Sequence, residues 1–227
     1  YKTLDNVLYS KDGESLIFYP PNRKGRSFEI PPEVKTICTR SFCSCLNLRS
    51  ITISSNVTTI EDDAFSNCQR LTSFKVEEDN PQFKVVDNIL FTKDDHDLVR
   101  YPPGLSHENY SVPLNVARIC PFAFADCKRL KTLEIGNNVM TIDAFVISSA
   151  TNINKIIIGA SVSSISPKAF TTFSESEMDH LSYITQFEVD ERNARFRSVD
   201  GVLFNKKCDT ILRYPPKKAG TVYSIPY

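Results

Sequence analysis

The 227-residue chain contains no tryptophan, two methionines, three histidines and only seven glycines. So few glycines leave no glycine-rich phosphate loop, and neither a Gly-x-Ser-x-Gly elbow nor a His-Glu-x-x-His pair occurs. The usual sequence signs of nucleotide, acyl-transfer and zinc chemistry are therefore missing. Charge is missing in the net sense: 27 Lys and Arg stand against 27 Asp and Glu. No global field gathers nucleic acid or an anionic membrane. No apolar run reaches the ~18 residues that a membrane-spanning helix needs. His96, His107 and His180 are scattered over a turn, a loop and a stretched segment. Asp94-Asp-His-Asp looks like a cation cluster, yet Asp12-Gly-Glu-Ser and Lys207-Cys-Asp-Thr occupy the same turn elsewhere, so it reads as solvated. The acidic pairs in Glu77-Glu-Asp and Glu188-Val-Asp-Glu mark equivalent exits and read as solvated edges. The chain is expected to have no catalytic residues, metal ligands or cofactor.

What is present is repetition. Tyr1-Lys-Thr-Leu-Asp-Asn-Val-Leu-Tyr returns as Phe83-Lys-Val-Val-Asp-Asn-Ile-Leu-Phe and as Phe196-Arg-Ser-Val-Asp-Gly-Val-Leu-Phe. Each copy reaches a Tyr-Pro-Pro, at Tyr19, Tyr101 and Tyr214, and then an apolar-Pro pair at Ile30, Val112 and Ile225. A shorter period of 23 residues lies inside it. Ile30, Val34, Ile37, Phe42, Cys45, Leu48 and Ile51 recur as Ile53, Val57, Ile60, Phe65, Cys68, Leu71 and Phe74. The pattern resumes at Val112 and Ile135, and a fifth coil from Ile158 is stretched through Thr172 to His180 before Ile184 and Phe187. Units this short bury their apolar residues only by stacking. The fold class read from this is a β-rich solenoid of leucine-rich-repeat coils. Leu48-Arg-Ser-Ile-Thr-Ile predicts a short strand on one side. Ala64-Phe65, Ala123-Phe124 and Ala169-Phe170 lack that alternation and predict short helical turns opposite. The long inserts, near residues 1–21, 83–103 and 196–216, predict projecting β-hairpins that turn at Lys11-Asp-Gly and its counterparts, each ended by its prolines. The whole span 1–227 reads as one solenoid. Because Tyr1 and Tyr227 both interrupt repeat units, it is expected to be part of a longer array.

Seven cysteines raise the question of bridges or metal. Cys45, Cys68 and Cys127 share one phase and Cys38 and Cys120 another, so buried thiols are expected, with a bridge between stacked neighbours as the alternative. Cys43-x-Cys45 lacks zinc-knuckle spacing.

The motif I-P-x-x-V-x-x-I-x-x-x-A-F-x-x-C-x-x-L, interleaved with D-x-V/I-L-F/Y hairpins that end in Tyr-Pro-Pro, resembles the BspA-like leucine-rich-repeat proteins of anaerobic bacteria. That resemblance implies export or surface anchoring and adhesion to host matrix or cell-surface proteins, with signal and anchor outside this segment. The residues between ladder positions form outward columns, read either as a solvated face or as a protein-binding strip. Arg49, Lys75, Lys131, Glu134, Lys155 and Glu188 are its partner-binding candidates. Tyr19, Tyr101 and Tyr214 offer an aromatic site beside the hairpins. The alternative function is a carbohydrate-binding array or a structural spacer.

Overall fold

The computed structural model describes residues 1–171, 183–220 and 222–225. The stretched segment 172–180, with Phe173 and His180, lies outside the described residues, as does the closing Pro226. Each coil begins with a strand of three or four residues whose alternate side chains point inward. Ser27–Glu29, Ser50–Ile53 and Ser73–Val76 form one parallel sheet. Asn109–Ser111, Thr132–Ile135, Lys155–Ile158 and Gln186–Val189 form a second. A second side of the coil carries two-residue strands, Thr36–Ile37, Thr59–Ile60, Arg118–Ile119, Thr141–Ile142 and Ser164–Ile165. In-register stacking brings Ile51 onto Phe74, and Leu133 onto Ile156 and then Phe187, all buried. This is the solenoid that the 23-residue phase predicts.

The third side contains turns rather than helices; no α-helix occurs among the described residues. Arg40, Asp63, Phe122 and Phe145 have positive φ, and so do Ser44, Asn67, Asp126 and Ser149 four residues later. Two left-handed residues so close together leave three between them, too few for a helical turn to close its own hydrogen bonds. The backbone bonds sideways instead: Phe42 N–H donates to Ala64 O and Phe124 N–H to Val146 O, at 2.9 and 2.8 Å.

The inserts depart from the sequence reading twice. Each contains the expected hairpin and adds a third strand before it, forming a meander: Lys2–Leu4, Val7–Tyr9 and Ser15–Phe18; Phe83–Val86, Ile89–Thr92 and Asp97–Arg100; Phe196–Val199, Val202–Asn205 and Ile211–Arg213. The extra strand joins through a two-residue turn, Asp5-Asn6, Asp87-Asn88 or Asp200-Gly201, with both residues at positive φ, the geometry that suits strand twist. Nor do these modules project. In the first two, the last strand pairs in parallel with the next short strand, Ser15 with Thr36 and Asp97 with Arg118. Ile89, Leu90 and Phe91 are all buried, and they face different cores. Leu90 packs with the cluster from Val7 to Phe83, while Ile89 and Phe91 pack with the cluster that runs on to Leu203. The middle meander is therefore a partition with both faces covered, as continuous apolar runs in buried strands require.

Two polar devices seat the partition. Asn80 is buried; its amide donates to Ser54 O and Val57 O, and its Oδ1 accepts from Gln82 and Phe83 N–H. Asn193 repeats all four contacts with Gly159, Val162, Arg195 and Phe196. Arg100 reaches back from the meander to Phe65 O and forward to Phe122 O, while Asp126 accepts from Asn67 N–H at 2.7 Å. These groups replace backbone partners that the interruption of the coil removes.

All seven cysteines are free. Cys45, Cys68 and Cys127 are buried, and Cys68 Sγ donates to Phe42 O of the preceding coil at 3.0 Å. A hydrogen bond to Cys68 and burial hold Cys45 protonated; burial pushes the Cys127 thiol up to about 12. Thiolate is the reactive form, so Cys45 and Cys127 should resist iodoacetamide in the native protein. Cys68, whose thiol the hydrogen bond with Cys45 lowers, should resist because it is fully buried, while the half-buried Cys43 and Cys208 label first. Mass spectrometry of the labelled peptides checks this; early modification of Cys68 would contradict it.

Candidate interaction surfaces

The strand faces place the expected partner-binding residues at the surface, but not in unbroken columns. Thr52 pairs with Lys75 in the first sheet, and Glu134 with Ile157 and then Glu188 in the second. The strand Ser73–Val76 does not continue into Asn109–Ser111, because the meander turn intervenes: Phe74 N–H donates to Asn88 O at 3.2 Å. Phe187 N–H meets Gly201 O in the same way, at 2.8 Å. Arg49 and Lys75 therefore belong to a different sheet from Lys131, Glu134, Lys155 and Glu188.

Charge on the second sheet is largely neutralised within it. Lys131 pairs with Glu108 at 2.8 Å and Lys155 with Glu188 at 2.7 Å, and Ser111 Oγ donates to Glu134 at 2.5 Å. Exposed pairs of this kind contribute about 0–1 kcal/mol to stability, so they shape the face more than they hold it. On the first sheet, Arg49 and Lys75 are exposed, and neither head group has an ion-pair partner among the described residues.

The tyrosines divide. Tyr19 and Tyr101 are 2% and 1% exposed and stack in the core on Phe42 and Phe124, with centroids 5.2 and 5.4 Å apart. They are packing residues with no face left for a ligand. Tyr214 is 41% exposed and meets Tyr223 edge-on at 5.3 Å.

A feature unread in the sequence lies on the turn side. Thr39-Arg40, Asp62-Asp63, Pro121-Phe122 and Ala144-Phe145, one pair from each of four coils, surround a hollow of ≈ 390 Å³. A second depression adjoins it along Glu61, Arg118 and Cys120. The sequence signal was the phase shared by Arg40, Asp63, Phe122 and Phe145, which lies outside the apolar ladder. Among the described residues, no group of His, Cys, Asp or Glu is arranged to hold a metal ion and no helix is long and apolar enough to cross a membrane.

Parallel strands stacked coil upon coil, with apolar residues in fixed phases, define a leucine-rich-repeat solenoid. Residues 15–96 and 103–199 match the BspA type leucine rich repeat region in six copies, and the chain belongs to that family. Among solved structures it is similar to the pneumococcal vaccine antigen PcpA (17% identity, TM-score 0.49, covering 77% of this chain and 59% of that one). It is also similar to a leucine rich cell surface protein of Faecalibacterium prausnitzii (20% identity, TM-score 0.47, 72% and 59%). A leucine-rich repeat protein of Eubacterium ventriosum matches at 17% identity and TM-score 0.45, over 71% and 62%. The chain thus spans less than two thirds of the length of each. No curated protein matches it.

Proposed function

We propose that the chain is part of an exported, cell-surface interaction protein, without catalytic activity, that binds a protein partner through the outward faces of its longer strands. The observation that supports this reading most is the register: Ser50 with Ser73, Thr52 with Lys75, and Thr132 with Lys155 and Gln186. Backbone hydrogen bonds hold these side chains in rows, so a docking partner immobilises little that is not already fixed. Family membership supports the interaction role and the surface location. The exposed, unpaired Arg49 and Lys75 would govern encounter rate more than final affinity.

The test begins with binding of the chain to a panel of extracellular-matrix proteins and, in parallel, to a glycan array. A protein ligand is expected, with affinity falling as salt screens the face over ~8 Å. The combined changes Lys75→Ser, Lys131→Ser and Lys155→Ser should weaken binding about tenfold, roughly 1.4 kcal/mol, at an unchanged melting temperature. The last two also release Glu108 and Glu188, turning neutral pairs into negative charge. Undiminished binding by the triple variant, or binding to glycans alone, would reject the strand face.

A further inference from the structure

The turn-side hollow has a floor and walls of different chemistry. Phe122 and Phe145 stack at the floor with centroids 5.3 Å apart and planes 23° apart. Both have positive φ, 57° and 58°, a conformation rare for bulky residues. The walls are acidic. Glu61, Asp62, Asp63, Asp97 and Asp143 gather beside Arg40 and Arg118. Most of these carboxylates are engaged: Glu61 accepts from Thr39 N–H and Oγ1, Asp63 pairs with Arg40 at 3.1 Å, and Arg118 holds Asp97 and Asp143 at 3.3 and 2.7 Å. Asp62 is exposed and has no hydrogen bond or ion pair among the described residues. Partial desolvation where the carboxyl borders the hollow, and then the neighbouring Asp143, raise it above the usual range, with Arg118 opposing. Five carboxylates beside two arginines leave an excess of negative charge that an added cation would relieve. The chain already sets one cation on this aromatic pair, since Lys168 Nζ stands 5.7 Å from the centre of the Phe145 ring.

We propose that this hollow receives an arginine side chain from a partner protein, the guanidinium bound by the Asp62 carboxylate and lying against the Phe122–Phe145 pair. Arginine fits better than lysine because its planar, weakly hydrated head both stacks on rings and pairs with a carboxylate. The lining is mostly apolar, with Pro121, Ala144 and the two rings, which suits the methylene stem. The hollow lies on the turn side of the coils and the strand face on another, so neither assignment depends on the other.

The test uses a short peptide of glycine and serine carrying two arginines, and the same peptide with neutral citrulline in their place. Each is titrated into the isotope-labelled chain. Amide shifts should concentrate around Asp62, Asp63, Phe122 and Phe145, and the citrulline peptide should bind at least about fivefold more weakly. Asp62→Asn, at an exposed position, should reduce arginine-peptide binding by a similar factor. Phe145→Asn should do the same while keeping the backbone, because asparagine accepts the left-handed conformation. Equal binding of both peptides would overturn the proposal. So would undiminished binding by the Asp62→Asn variant, or a neutral oligosaccharide that shifts these amides while the arginine peptide leaves them unmoved.

Discussion

Replacing Arg100 by methionine is expected to destabilise the protein by about 3–5 kcal/mol, the loss that follows removal of one partner from a buried ion pair. Arg100 is 4% exposed and Asp126 7%, with 3.5 Å between Nη2 and Oδ2. Methionine fills much of the space but leaves Phe65 O and Phe122 O with only their backbone donors, Cys68 and Ala125 N–H, and Asp126 without its cation. The pH dependence has a definite sign. Burial raises the Asp126 carboxyl, while Arg100 and the Asn67 N–H oppose that rise; in the variant the guanidinium is gone and the folded-state value climbs further. A carboxylate raised on folding favours the folded state only while protonated, and it costs stability as pH rises above its unfolded value near 3.9. Urea midpoints should therefore show a larger loss at pH 7 than at pH 4.5. A loss below about 1 kcal/mol at pH 7 would mean that the pair is not a staple. Arg213 repeats one of these contacts at the third meander, donating to Phe170 O at 3.1 Å. Phe18 occupies this position in the first.

Phe65→Ala should cost a similar amount, about 3–5 kcal/mol, through the cavity left in a dense core. The ring is 3% exposed. It stacks on Phe42 at 5.6 Å and meets Phe74 edge-on at 5.0 Å, so it links neighbouring coils as well as filling its own. In a stack where each coil completes the next, the loss should propagate. Amides of Phe42 and Ser44, which bond to Ala64 O and Ser66 O, should exchange faster together with those of residues 64–68. Faster exchange confined to residues 64–68 would show that the coils are energetically independent.

The apolar ladder was legible because stacking repeats one demand at one phase. Val34, Val57, Val116 and Val139 all sit in the core with no exposed surface, and the 23-residue period marks each of them. The meander strand Phe83–Val86 was harder to read. Its burial falls steadily from Phe83 through Lys84 and Val85 to the exposed Val86, so no alternation marks it, and the Asp87-Asn88 turn after it is less obvious than the Lys-Asp-Gly turn of the first insert. The helical turns expected at Ala64-Phe65 and Ala123-Phe124 are open turns, because position in the coil forces positive φ on Asp63 and Phe122 just before them. The strand-face candidates were correctly placed at the surface, since alternation alone fixes that. Their grouping and pairing were not legible. The contact of Phe74 with Asn88 that splits the face depends on three-dimensional closure, as does the proximity of Lys131 to Glu108. The hollow escaped for the same reason, because Asp62 and Phe145 meet only when four coils are stacked.

Amide hydrogen exchange along Ile89–Thr92 tests the central claim, that the middle insert is an internal partition between two stacked cores. With Ile89, Leu90 and Phe91 buried and paired on both edges, Leu90 and Phe91 should exchange as slowly as Leu133 and Ile156 in the coil strands, through openings that approach global unfolding. Exchange at these two amides as fast as in the exposed turn at Lys93 to His96 would contradict it and restore a projecting hairpin.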